Sequence, residues 1–428
     1  MATARGGGAW AASTNPRPRM QVRRRIQKLM VTGGTAAFCG SRPSPRGSPE
    51  AARHYNHSVR IGITCYPTYG GSGVVATELG MELAQRGHEV HFITHANPIR
   101  LDPDTPRVHY HEVEVSNYPL FQYPPYALAL ASRMAEVASC YRLDLLHVHY
   151  AIPHSISALL AQQMLAGKRR LPFVTTLHGT DITLVGADRS YFPITKFSIE
   201  RSDAVTAVSL YLRRQTEEVF GINRPIEVIP NFVNCELYRP RPEQRRAGLT
   251  LLHVSNFRPV KRPLDCIRIL NEVRRSLDVH LLMAGDGPER GPAELLAMEM
   301  GVQEHVTFLG KQDHIERLIP QTHVLLLPSE LESFGLAALE AMACGVPAIA
   351  TRTGGVSELI TSGKDGYLEP VGDVAAQAAR VVELLSDARL YERVSQAARC
   401  TAAGRFNSDR VIPQYERFYE QVCEAVPA

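Results

Sequence analysis

Two acids bracket the most informative stretch of the chain, Glu332-Ser333-Phe334-Gly335-Leu336-Ala337-Ala338-Leu339-Glu340. It follows Val324 to Leu327, an apolar run of the kind that forms a buried strand, and its own apolar residues have helical spacing. A helix opening here would offer unbonded N–H groups at Gly335 and Leu336 to an anion, with Ser333 as the capping side chain. Glu340 stands about two turns beyond that cap, which returns it to the face where the anion sits. One helix could then read a phosphate group and a ribose, with Glu332 beside whatever the phosphate carries. The apolar neighbours Leu339, Met342 and Ala343 argue against a solvated surface acid at 340.

A second constellation is Gly70-Gly71-Ser72-Gly73, between the β-branched run Arg60 to Thr64 and a helical pattern that opens near Val74. Glycines allow close backbone approach to a ligand, and helix N-termini favour anions. Gly71-x-Gly73-x-x-Ala76 also fits the relaxed dinucleotide fingerprint, but a nicotinamide enzyme needs Asp or Glu at the end of the second strand, and this strand ends Ile93-Thr94-His95-Ala96. No G-x-x-x-x-G-K-[ST] is present. A plain packing turn is the competing reading of these glycines. His178 closes the run Phe173 to Leu177 and is either a satisfied core histidine or a side chain delivered to a site. Asp102-Pro103-Asp104 has the D-x-D form that can hold a divalent ion, but in a Pro-rich loop. His147, His149 and His154 lack an added carboxylate or Cys ligand, which favours packing over metal binding. No metal is expected.

These residues need a scaffold, and the rest of the chain supplies its pattern. Short apolar runs at Arg60 to Thr64, Val90 to Thr94, Leu145 to His149, Phe173 to Leu177, Ala204 to Val208 and Glu227 to Ile229 alternate with helical stretches such as Val75, Leu79, Leu83. The alternation restarts after Pro240 with Thr250 to Val254, His280 to Met283, Val306 to Leu309, Val324 to Leu327 and Ala348 to Ala350. The pattern predicts an α/β protein of two doubly wound Rossmann-like domains facing across a cleft, where ligands of such sheets bind. The boundaries read as 59–238 for the first domain, 239–404 for the second, and 405–428 for a helix returning toward the first domain through Tyr415, Phe418 and Tyr419.

Residues 1–58 have no period of 2 or 3.6. Disorder, an organellar leader and a misassigned start with Val59 as the initiation codon are the three readings, and all make the segment dispensable. The formal net charge is +4, but residues 1–49 hold eight Arg, one Lys and no acid, so the remainder is net negative by five. That excludes a nucleic-acid footprint. Every apolar run is too short to span a bilayer, and no stable membrane association is expected. The cysteines show neither C-x-x-C nor zinc spacing, as suits reduced thiols in a cytoplasm.

The spacing of Glu332 and Glu340 within Pro328 to Pro347, followed by Gly354-Gly355-Val356, resembles the family-four retaining glycosyltransferases of GT-B fold, and the likeness runs over nearly all of residues 59 to 425. The resemblance implies that Glu340 holds the donor ribose, Glu332 lies against the sugar, and the backbone of Gly335 and Leu336 takes the diphosphate, with Gly71 also on the donor. It implies Lys261 as the diphosphate cation. Relatives often carry Arg five residues earlier, where this chain has Asn256, so Arg258 is the nearest substitute. His178 is implied as a contact to the sugar near the transferred centre, which with Lys261 and Glu332 makes the catalytic set.

Further strings resemble the branch of this family that acts on L-malate in bacillithiol biosynthesis: Ile61 to Pro67 with Gly70 to Gly80, Phe121 to Tyr126, His147 to His154, Thr176 to Thr183, and Ser255 to Arg262. They imply transfer of N-acetylglucosamine from UDP-N-acetylglucosamine to the L-malate hydroxyl, without a metal, by a homo-oligomer. Ser72, Gly73, Tyr150 and Thr180 offer hydroxyls and N–H groups for the acceptor. Arg100 and Arg189 are both open as the basic partner of the malate carboxylates. A different small-molecule, lipid or glycan acceptor, or a non-catalytic sugar-nucleotide binder, are the alternatives.

Overall fold

The computed structural model describes residues 58–425 except 69, 103, 116–119, 121 and 184. The leader thus lies outside the described residues apart from Ser58. The first sheet contains β1 (Arg60–Thr64), β2 (Glu89–Thr94), β3 (Val108–Glu112), β4 (Leu145–His149), β5 (Phe173–Leu177), β6 (Ala204–Ala207) and β7 (Glu227–Val228). They pair in parallel in the order 3-2-1-4-5-6-7. The second contains β8 (Leu249–Val254), β9 (Val279–Ala284), β10 (Val306–Gly310), β11 (Val324–Leu327), β12 (Ala348–Thr351) and β13 (Tyr367–Glu369). It is also parallel, ordered 10-9-8-11-12-13. The strand order reverses between β1 and β4 and again between β8 and β11, which places a ligand crevice at the carboxyl end of each sheet.

The expected strands are present, with two additions. β3 and β13 are both edge strands, and neither shows the continuous apolar run of a strand buried on both faces. β3 reads Val-His-Tyr-His-Glu and β13 has only three residues. The helix Gly71–Gln85 buries Val75, Leu79 and Leu83 against β1 and β2. A Cβ at Gly80 would stand 2.4 Å from the Phe92 ring, so only glycine lets this helix lie that close to the sheet. The helix Leu210–Phe220 starts where Ser209 Oγ accepts from the Leu212 N–H and stops at Gly221 in the left-handed region, the two signals expected of a helix with defined ends.

The chain passes from the first sheet to the second after β7 and returns near Asn407. The two crossings are joined: Val233 N–H donates to Phe406 O at 2.9 Å, and Ser408 N–H donates to Val233 O at 3.0 Å. The returning helix Ser408–Glu424 then buries Val411, Ile412, Tyr415 and Tyr419 in the core that holds Ile61, Ile63 and Leu145. Each such side chain contributes about 1.5–3 kcal/mol of burial, so this helix belongs energetically to the first sheet. Among the described residues no helix is long and apolar enough to cross a membrane.

Candidate active site

A cavity of about 670 Å³ lies between the carboxyl ends of the two sheets. From the first sheet it takes Gly70, Gly71, Val74 and Arg100, and from the second Asn256, Arg258, Lys261, Glu332, Gly335, Leu336 and Glu340. All seven donor-side residues expected from the sequence, Gly71 included, therefore meet around one space.

The second-sheet wall begins with the helix Leu336–Ala343, and here one expectation is corrected. Its cap is Gly335, at φ 93°, with no side-chain cap bond; Ser333 does not cap it. The left-handed turn at Gly335 starts the helix after Ser333 has already passed. Ser333 instead meets the first domain: its carbonyl accepts from Ser209 Oγ at 2.7 Å, and its side chain fills the space a Cβ at Gly179 would occupy. The open cap leaves the first N–H groups of the helix without intrahelical partners at the cavity wall, where the helix dipole favours an anion.

Glu340 is 4 % exposed, so its charge requires partners. Tyr238 OH donates to Oε1 at 2.8 Å, and Arg100 Nη1 reaches the same oxygen at 3.2 Å. Arg100 also binds Glu78 Oε1 at 2.7 Å. Burial would lower the Arg100 pKa, but Glu340, Tyr238 and Glu78 outweigh it and hold the guanidinium charged. Burial pushes the Glu78 carboxyl up to about 7, with Arg100 opposing and Glu340 adding to the rise. Arg100 is thus committed to two carboxylates and is unsuited to a malate carboxylate. Neither Arg100, Tyr238 nor Glu78 was identified for the donor side, since they are scattered across the helix Gly71–Gln85, the loop after β2 and the first crossing.

Lys261 Nζ donates to Glu332 Oε1 at 2.6 Å, and Ser329 Oγ donates to the same oxygen at 2.8 Å. Lys261 ends the loop that follows β8. In that loop Asn256 has a buried Oδ1 without a partner, while Arg258 is exposed and close enough to Tyr150 to favour its phenolate. Both line the cavity.

Ser72, Tyr150 and Thr180 come together on the first-sheet side. Burial raises the pKa of the Tyr150 phenol with a further push from Asp181, while the nearby side chains of Ser72 and Thr180 oppose the rise. Tyr150 sits at φ 85°, a conformation costly for a residue with a Cβ, and such strain collects at functional sites. Its ring lies 5.6 Å from that of His178. Gly73 is explained by packing: a Cβ there would be 2.4 Å from the Tyr66 carbonyl oxygen.

His178 is held from behind. Its Nε2 is 2.8 Å from His149 Nδ1, and the His149 ring centre lies 4.4 Å from that of His147, tilted by 32°. His147 in turn bonds Tyr419 OH at 2.7 Å and Thr176 Oγ1 at 2.6 Å, linking the returning helix to the site. Burial pushes the His178 pKa down to about 3, so the ring is neutral. Asp181 accepts from the backbone N–H groups of Ala151, His178 and Gly179 and fixes the loop that carries His178. Its carboxyl is raised to about 6 by burial, which these backbone bonds oppose. Sequence reading passed over Asp181 and Tyr66, although both lie inside strings it singled out.

Asp102 and Asp104 are exposed and do not line the cavity; Asp104 N–H donates to Asp102 Oδ1 at 3.0 Å in a local turn. Arg189 is exposed in the loop before the helix Phe192–Arg201.

Comparison with known proteins places this cleft. Residues 69–237 match the family model Glycosyltransferase Family 4, and residues 236–401 match Glycosyl transferases group 1. The chain is 47% identical over 372 residues to the N-acetyl-alpha-D-glucosaminyl L-malate synthase of Bacillus anthracis, covering 85% of this chain and 97% of that protein. It is 29% identical to the D-inositol 3-phosphate glycosyltransferase of Nocardia farcinica, covering 78% and 81%. Among solved structures, sucrose-phosphate synthase from Thermosynechococcus elongatus gives a TM-score of 0.73 at 22% identity, covering 86% of this chain and 100% of that one. The Anabaena HepE protein in complex with UDP and glucose gives 0.73 at 19%, covering 85% and 100%. At these identities the two structures speak for the fold.

Proposed function

Because the chain belongs to the family 4 glycosyltransferases of GT-B fold, we propose that it moves N-acetylglucosamine from UDP-N-acetylglucosamine to the hydroxyl of L-malate with retention at C1, the first step of bacillithiol biosynthesis. The observation that carries this reading is a buried acid on the cavity wall, Glu340, together with the hydroxyl cluster of Ser72, Tyr150 and Thr180, which lies outside the cavity lining but near Arg258 of that wall. The near full-length similarity to the Bacillus anthracis malate synthase supports the choice of substrates.

In this reading both recorded bonds to Glu340 end on Oε1, which leaves Oε2 for the ribose hydroxyls. The open N-terminus of the helix Leu336–Ala343 and Lys261 hold the diphosphate, with Arg258 or Asn256 beside it. Negative charge grows on the β-phosphate as the C1–O bond breaks, and preorganised cations and N–H groups stabilise that charge more in the transition state than in the ground state. The malate oxygen bonds C1 on the same face, and its proton passes to the leaving phosphate oxygen. Lys261 would turn from Glu332 toward the diphosphate, freeing the carboxylate to meet the sugar. Neutral His178 orients the sugar through the edge its bond to His149 does not use. These groups supply the positive potential without a metal, and the enzyme acts in the cytoplasm as a homo-oligomer.

The test is UDP release with L-malate, D-malate, succinate, glycerate and myo-inositol phosphate as acceptors, with and without EDTA. L-malate should be preferred and EDTA should leave turnover unchanged. A clear preference for another acceptor overturns the malate assignment, and activity restored only by Mg²⁺ or Mn²⁺ overturns the metal-free one.

A further inference from the structure

The edge of the first sheet carries a cluster that the transfer reaction does not use. Glu89 and His91 alternate along β2 and so share one face, and His109 of β3 is the register partner of His91. His111, two residues on, joins the same face. Glu89 Oε1, His91 Nε2 and His109 Nε2 all lie within 4.8 Å of one another. Glu89 Oε1 is 3.2 Å from His109 Nε2 and 3.7 Å from His91 Nε2. His91 is fully buried, yet its Nε2 has no hydrogen-bond partner. A buried polar atom without a partner is costly, and this one points at a carboxylate and a second imidazole.

We propose that Glu89, His91 and His109 form a binding site for a borderline divalent transition ion, zinc being the cellular candidate, that clamps the edge strand β3 to β2. The donor set is of the His₂-carboxylate type that zinc accepts, with a fourth position left for water. His91 Nδ1 lies 2.9 Å from His111 Nε2. If that nitrogen donates to His111, the lone pair of His91 falls on Nε2, the arrangement by which an outer partner orients a metal-binding imidazole. Tyr141 walls the cluster, its ring 4.7 Å from His91 and 5.0 Å from His111. Ligands of a tetrahedral zinc at about 2.0–2.1 Å stand roughly 3.4 Å apart, against 3.2 and 3.7 Å between the Glu89 carboxylate and the two imidazoles here, so binding needs only small shifts of the donors. The side chains that must move are the exposed ones, Glu89 at 39% and His109 at 42%, while buried His91 stays in place. The cluster sits at the amino ends of β2 and β3, whereas the cleft lies at the carboxyl ends. The ion is therefore structural and separate from turnover, which keeps this inference independent of the acceptor assignment.

The untagged full chain, stripped with EDTA, is titrated with Zn²⁺ by calorimetry, with Co²⁺ by visible absorption, and in thermal melts. One equivalent should bind and raise Tm. Cobalt should give nitrogen and oxygen ligand-field bands without a thiolate charge-transfer band. Glu89→Gln and His109→Asn, at half-exposed positions, should each weaken zinc binding at least tenfold and abolish the Tm rise, with UDP release unchanged. No saturable binding, binding undiminished in both variants, or a thiolate band pointing to a cysteine would each overturn the site.

Discussion

The two walls of the cleft are built in opposite ways. On the second-sheet wall Glu332, Gly335, Leu336 and Glu340 come from one stretch that follows one strand, and helix geometry alone relates them. On the first-sheet side Ser72, Tyr150 and Thr180 follow three different strands and gather around a single phenol. A nucleotide diphosphate presents the same groups in every sugar donor, so a compact local device can read it. The hydroxyls on the other side come together only after β1, β4 and β5 have lined up. The difference predicts that substitutions on the two walls will separate kinetically.

The sharpest break should come at Lys261→Ala. On its proposed role as the cation at the leaving phosphate, removing Lys261 should lower kcat by roughly 10²–10³-fold with a smaller change in the donor KM. Steady-state UDP release measures both, and a kcat within fivefold of wild type would remove Lys261 from the reaction. Next comes Glu340→Ala. It deprives the donor of its ribose partner and leaves Arg100 and Tyr238 without theirs, so donor affinity should fall by about 1–3 kcal/mol, or roughly 5- to 150-fold. Calorimetry with UDP reads the loss, and unchanged affinity would refute the ribose role.

Tyr150→Phe should act on the other wall. Losing one hydroxyl that bonds Ser72 and Thr180 should raise the malate KM about tenfold and leave the UDP-sugar KM within twofold. Equal rises in both would mean that the walls are not separable. The smallest expected effect is at Glu78. Its buried carboxyl is raised from 4.5 to about 7, so the native state holds a proton that the unfolded chain releases, and stability contributed by that proton falls as pH rises from about 4.5 through 7. Glu78→Gln should flatten this slope in melts taken across that window, and an unaltered slope would assign the titration elsewhere.

The same contrast explains what the sequence discloses. Thirteen strands in two parallel sheets follow from apolar runs and helical spacing, apart from β3 and β13, whose edge positions relax the need for a continuous apolar run. Residues within one motif, such as Glu332 and Glu340, could be placed because an α-helix has a fixed pitch. Ser333 does not cap the helix because Gly335 takes the left-handed conformation at the cap position, a turn that glycine permits but does not dictate. Arg100 was read toward the acceptor because its distances to Glu78 and Glu340 depend on how the domains close. His149 behind His178, and Asp181 beneath it, are likewise products of neighbouring strands brought into register.

The paired crossings at Val233 and Phe406 act as a pivot. A body turning about a pivot displaces each of its atoms in proportion to their distance from it, so parts wired to the crossing travel least. Arg399 donates to the carbonyls of Cys235, Tyr238 and Ala343, and Tyr238 holds Glu340, so the ribose acid and the outgoing crossing turn as one piece. Lys261 and Ser329 both bind the Glu332 carboxylate, outside that segment. Ser333, which meets Gly179 and Ser209 of the first domain, ties the two sheets together at a second place away from those crossings.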